Sequence, residues 1–168
     1  MPIRTSLFAA MLLLFAISAP AFSAQGPGAT PVSPECAAGP DARGICAVLE
    51  GQVAAWNRAD IPGFMQGYED SPETAFVSTH GVERGFQPIF ERYRKAYASL
   101  EQMGKLTFSE LNIRLLPSST GAVEYAIVTG RFHLDRSAYG TARQDDGVYS
   151  LLFHKTAGGW KIILDHTA

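Results

Sequence analysis

Residues 159–167, GWKIILDHT, decide the fold. Trp160, Ile162, Leu164 and His166 alternate with Lys161, Ile163 and Asp165, the period of two that a strand requires. Three runs of similar character precede it: 105–117 (KLTFSELNIRLLP), 121–134 (GAVEYAIVTGRFHL) and 147–155 (GVYSLLFHK). Turn residues at 118–121, 136–140 and 158–159 separate them. Connections this short make consecutive strands antiparallel neighbours, so the chain closes on a meander. In it Tyr149, Leu151 and Phe153 share one face of their strand. By the same parity His166 points with Trp160, Ile162 and Leu164, and Asp165 points the other way.

Upstream the period changes. Asp41 is placed to cap a helix in which Ile45, Leu49, Val53 and Trp56 form one apolar stripe. Asp60 is placed to cap a second, short helix with Pro62 in its first turn, where a missing N–H costs nothing. A short strand is expected in 73–81 and a turn from Gly81 to Gly85. A third helix is expected over 86–100, with Phe86, Ile89, Phe90, Tyr93 and Tyr97 at helical spacing. Helices followed by a meander predict an α+β fold, with helices covering one face of a curved antiparallel sheet.

The chain has 168 residues, enough for one ordinary domain. Hydrophobic residues make up 46% and charged residues 18%, as in soluble globular proteins. The net charge is -2 and the 14 basic residues are scattered, which argues against a nucleic-acid partner. Residues 1–23 read as a signal peptide: Arg4, an apolar stretch from Leu7 to Ile17, then small residues suited to cleavage. A membrane anchor fits less well, because that stretch is only about 11 residues against the roughly 20 needed to span. No membrane association is expected once it is removed. Residues 24–40, rich in Gly, Pro, Ala and Ser, read as a flexible leader, and 41–168 as the domain. Export to the periplasm or medium makes a disulfide the default for Cys36 and Cys46, the only cysteines. A reactive thiol or a metal pair lacks supporting histidine spacing.

Taken in order, AAWNRADIPGFMQGYEDSPETAFVSTHG, RGFQPIFERYRKAY, MGKLTFSELNIRLLP, AIVTGRFHL and GWKIILDHTA resemble the SnoaL-like, nuclear transport factor 2-like superfamily. Within it, the resemblance is to the exported or soluble bacterial members related to the calcium/calmodulin kinase II association domain. It spans about Gly44 to Ala168. The resemblance implies a cone: a strongly bent sheet wrapped around a long helix, with a pocket at the open end and often a homodimer through the outer face of the sheet. Superfamily members include isomerases, dehydratases, cyclases and association domains, so the fold does not supply an activity.

The isomerase template needs an inward carboxylate in an apolar pocket. On strict alternation the inward faces are almost free of acids: Asp165 has the wrong parity unless a bulge re-aims it, Glu124 shares a face with Ala126 and Val128 but lies at a strand start, and Glu110 has no acidic partner. His166 is therefore the candidate acid/base, since a histidine can pass a proton either way near neutrality. Trp56, Tyr68, Tyr149 and Leu164 are the expected ligand-pocket residues. The competing role for His166 is structural, donating to a backbone carbonyl while Asp165 pairs with Arg131 on the outer face. The four histidines form no local metal motif, and no glycine-rich phosphate loop is present, so neither metal nor cofactor is expected. The functional expectation is a small-ligand-binding or association domain for a small apolar ligand. The alternative is a lyase or isomerase using a pocket histidine.

Overall fold

The computed structural model describes residues 33–140 and 143–168. The signal peptide and the leader up to residue 32 lie outside the described residues. A 3-10 turn, Pro34–Ala37, comes first and is tied by the Cys36–Cys46 disulfide to helix α1, Pro40–Trp56. Gly39, not Asp41, occupies the cap position of α1, because Pro40 already fills the first helical position. Asp41 instead lies in the first turn and pairs with Lys155 at 2.6 Å. Helix α2, Ile61–Met65, is capped as expected: Asp60 Oδ1 accepts from the Gly63 amide at 2.8 Å.

Strand β1, Ala75–Ser78, is followed by β2, Gly81–Arg84, and the two pair as an antiparallel hairpin. The residues expected as a turn thus form a strand, and the reversal falls on Thr79 and His80. Helix α3, Phe86–Ala96, stops short of the expected boundary. Ser99 then caps a separate turn of helix, α4, Leu100–Met103, its side chain accepting from the Gln102 amide. Four strands follow: β3 Lys105–Pro117, β4 Val123–Asp135, β5 Gln144–Thr156 and β6 Gly159–Thr167.

The sheet is curved and unclosed, in the order β2-β1-β6-β5-β4-β3. It is mixed rather than wholly antiparallel, because β1 pairs in parallel with β6, Phe76 opposite Asp165. The α+β layout and the meander of β3 to β6 are as the sequence implies. The helices pack on the inner face, where Ile45, Met65, Ile89, Val128, Phe153 and Ile162 are fully buried. Asn57, just past α1, locks that helix to β3: its side chain donates to the Leu106 carbonyl at 3.1 Å and accepts from the Leu106 amide at 2.8 Å.

The decisive departure lies in β6. Phe153 of β5 pairs with Ile162, but the next residue back, Leu152, pairs with Leu164. Ile163 is therefore an extra residue, a β-bulge. It sits where β6 changes its second partner. Before it, Ile162 bonds with the segment after α2, donating to the Gly67 carbonyl and accepting from the Glu69 amide. After it, Leu164 pairs with Ala75 of β1. Beyond the bulge the facing of side chains reverses: Asp165 and Thr167 join Trp160 and Ile162 inside, while Leu164 and His166 turn outward.

Candidate functional site

An aromatic cavity of about 140 Å³ lies between the helices and the inner face of the sheet. Trp56 from the end of α1, Tyr93 from α3, Tyr97 just after it, Phe76 from β1, Phe108 from β3 and Tyr149 from β5 contribute to its wall. Trp56 is held by edge-on contacts with Phe64 and Tyr97, and its indole N–H donates to the Met103 carbonyl at 3.3 Å. Ala96, exposed at the end of α3, marks the mouth.

The polar end of the cavity is built around Asp165, which is only 5% exposed. Tyr68 donates to its Oδ2 at 2.6 Å and Thr167 to its Oδ1 at 2.9 Å. The Tyr93 hydroxyl lies 3.2 Å from that of Tyr68. Since Tyr68 gives its one proton to Asp165, Tyr93 donates to Tyr68, and the three groups form a directed chain. Burial pushes the Asp165 carboxyl above the ordinary carboxylate range, opposed chiefly by the hydrogen bonds from Tyr68 and Thr167. Burial first, and then the charge of Asp165, hold Tyr68 and Tyr93 well above an ordinary phenol. Both phenols therefore stay protonated and act as donors. Tyr149 is pushed up to about 12 by burial alone, and its buried hydroxyl has no hydrogen-bond partner. It lies over Gly130 of β4, where a Cβ would come within 2.3 Å of the phenol oxygen.

Of the residues expected at the site, Trp56, Tyr68 and Tyr149 line this cavity. Leu164 does not: the bulge turns it outward, opposite Leu152. His166 is exposed on the outer face, opposite Ser150, and so cannot reach a ligand in the cavity. The expected outer-face pair of Asp165 and Arg131 is also absent. Asp165 faces inward, and Arg131 instead pairs with Glu110 at 3.9 Å. Glu110 adopts a positive φ of 52° in a second irregularity, where β3 slips register against β4. His133 and His154 pair with Asp146 and Glu69 at 2.8 and 2.7 Å. Among the described residues no group of His, Cys, Asp and Glu is arranged to hold a metal ion.

The residues missed from sequence are Asp165, Thr167, Tyr93 and Arg92, all of which line the cavity. Only one signal was there to be read. The apolar triplet Ile162, Ile163, Leu164 interrupts strict alternation, and a triplet of that kind leaves room for a bulge.

Solved structures share this architecture. A nuclear transport factor 2-like protein of unknown function from Shewanella oneidensis is 30% identical, with a TM-score of 0.63, over 74% of this chain and 96% of that one. The chain belongs to the nuclear transport factor 2-like superfamily. A superfamily member from Salmonella enterica is 26% identical, over 75% of this chain and 88% of that one, with a TM-score of 0.53. A further one, of unknown function, from Pseudomonas putida shares the fold at 15% identity and a TM-score of 0.57, covering 74% and 82% of the two chains. No protein-family model matches the chain, and no curated protein matches it. Superfamily membership supplies the fold without assigning a specific activity.

Proposed function

We propose that this chain binds a small, largely apolar molecule in the aromatic cavity, oriented by the polar side chains of the cavity wall. The observation that carries this reading is a buried carboxylate at one end of a cavity lined mainly by aromatic and aliphatic side chains. Apolar cavities with a few convergent polar groups are the usual form of a small-molecule site. The oxidised Cys36–Cys46 pair supports residence in an oxidising compartment, the periplasm or the medium. Among the described residues no helix is long and apolar enough to cross a membrane. We place a homodimer on the outer sheet face, where Tyr125 is 39% and Val148 47% exposed beside half-buried Ile127 and Leu152.

A second reading, proton-transfer catalysis on a carbonyl or hydroxy compound, is favoured by one specific observation. Asp165 is buried, its affinity for a proton is raised, and its hydrogen bonds run through two phenols toward the aromatic wall. In that reading Asp165 takes the acid/base role expected of His166.

Calorimetric titration with benzyl alcohol tests the leading reading. Binding is expected, and Ala96→Trp is expected to abolish it without lowering the melting temperature, since Ala96 is exposed at the mouth. Unchanged binding in that variant would place the ligand elsewhere and remove the reading.

A further inference from the structure

We infer that the ligand is an organic anion, an aryl or short branched carboxylate whose carboxylate pairs with Arg92. The inference rests on the cavity being a ligand site, as proposed above.

Arg92 is half-buried on α3 and lines the cavity. Its guanidinium carbon rests 4.8 Å above the ring centre of Phe76. Phe76 lies opposite Asp165 in the parallel β1–β6 register, so the arginine stands one strand away from the polar end. What sets Arg92 apart is the lack of a counter-charge. Arg58, Arg94, Arg131, Arg136 and Arg143 each pair with a carboxylate. Arg43, Arg84 and Arg114 are exposed and face bulk water. No described residue makes an ion pair or a side-chain hydrogen bond with Arg92. Glu83, opposite Phe76 in the hairpin, does not pair with it.

A cation at the wall of an aromatic cavity is partly stripped of water, which strengthens its attraction for an anion. The guanidinium fork also matches a carboxylate with two parallel N–H donors. The remaining space fixes the body of the ligand. A cavity of about 140 Å³ is close to the ~150 Å³ that accommodates a benzene ring. Asp165 makes no ion pair with the arginine; its oxygens accept from Tyr68 and Thr167 instead. It does repel a second anion in the same cavity, so its charge sets the ligand carboxylate on the Arg92 side.

The test compares benzoate, benzamide and benzylammonium by calorimetric titration of the full chain at neutral pH. Benzoate is expected to bind at least about tenfold more tightly than benzamide, a difference of about 1.4 kcal/mol. Arg92→Gln is expected to erase that preference, Arg92→Lys to keep part of it, and Asp165→Asn to increase it. Benzamide binding as well as benzoate, benzylammonium binding best, or an unchanged preference in Arg92→Gln would each overturn the assignment of charge while leaving the cavity reading in place. Failure of all three probes to bind would remove both.

Discussion

Asp165 is the residue at which stability and function pull in opposite directions. Its carboxyl is buried among aromatic rings, and two hydroxyl donors do not fully replace the water it lost. The folded state therefore holds the Asp165 proton more tightly than the unfolded chain does. With the folded pKa above the unfolded value, the folded state binds more protons in the window between the two. Asp165 therefore lowers stability as pH rises through that window, and the cost is complete once the pH passes the folded value. Asp165→Asn is accordingly expected to raise the melting temperature near pH 7. Each kilocalorie relieved corresponds to a rise of roughly 2–8 °C in domains of this general size. The gain over the parent protein should shrink as pH falls, because the parent carboxyl takes up its proton in the folded state before it does in the unfolded chain. Thermal melts of both proteins between pH 4 and pH 8 measure it, and a lower melting temperature for the variant at pH 7 would contradict it. Asp135 and Asp145 are held below the ordinary carboxylate range and add the opposite slope to both proteins. The difference between the two curves isolates Asp165. A buried acid that costs stability fits a binding or chemical role.

At the scale of elements, one extra residue decides what faces the cavity. The strand GWKIILDHT was legible as a strand to its end residues, and so were the meander, Asp60 as a cap, and the inward row Tyr149, Leu151, Phe153. The facing of its last four residues was not. Parity carries information only along an unbroken ladder, and Ile163 breaks this one where β6 exchanges the Gly67–Glu69 segment for β1. That exchange joins positions about a hundred residues apart, so no local pattern announces it. The β1–β6 parallel pairing was hidden for the same reason. The bulge makes a counterintuitive prediction. Deleting Ile163 should leave Asp165 facing inward, because Ile162, Leu164 and Asp165 then alternate regularly against Phe153, Leu152 and Leu151. The variant is expected to fold, to lose about 0.5–3 kcal/mol, the usual range for a single change, and to keep the pH dependence that Asp165 confers. Inserting one alanine between Leu164 and Asp165 should instead turn the carboxylate outward and abolish that dependence. Equal pH profiles for the deletion and the insertion would mean that the bulge does not set the facing.

For the whole molecule, the question is what holds the helical layer against an open sheet. An unclosed sheet leaves two edges, β2 and β3, and the cavity removes packing from the middle of the inner face. Helix α1 compensates at both ends. Asn57 anchors its C-terminal end to β3, while Asp41 in its first turn pairs with Lys155 of β5. The disulfide acts at that N-terminal end, joining Cys36 of the 3-10 turn to buried Cys46, ten positions along the chain. A loop this short still removes conformational freedom from the unfolded chain, worth roughly 2–3 kcal/mol on chain-entropy grounds. The ion pair is partly exposed and contributes less, about 1 kcal/mol or below. Replacing both cysteines by alanine is therefore expected to lower stability by roughly 2–3 kcal/mol, and Asp41→Asn by much less. Because the disulfide lies far in sequence from the cavity residues of β5 and β6, the cysteine variant should bind benzyl alcohol as the parent does wherever both are folded. Denaturant titration of the parent, the two variants and the reduced parent measures the order. A cysteine variant as stable as the parent would show that α1 is held by its packing and its Asn57 anchor alone.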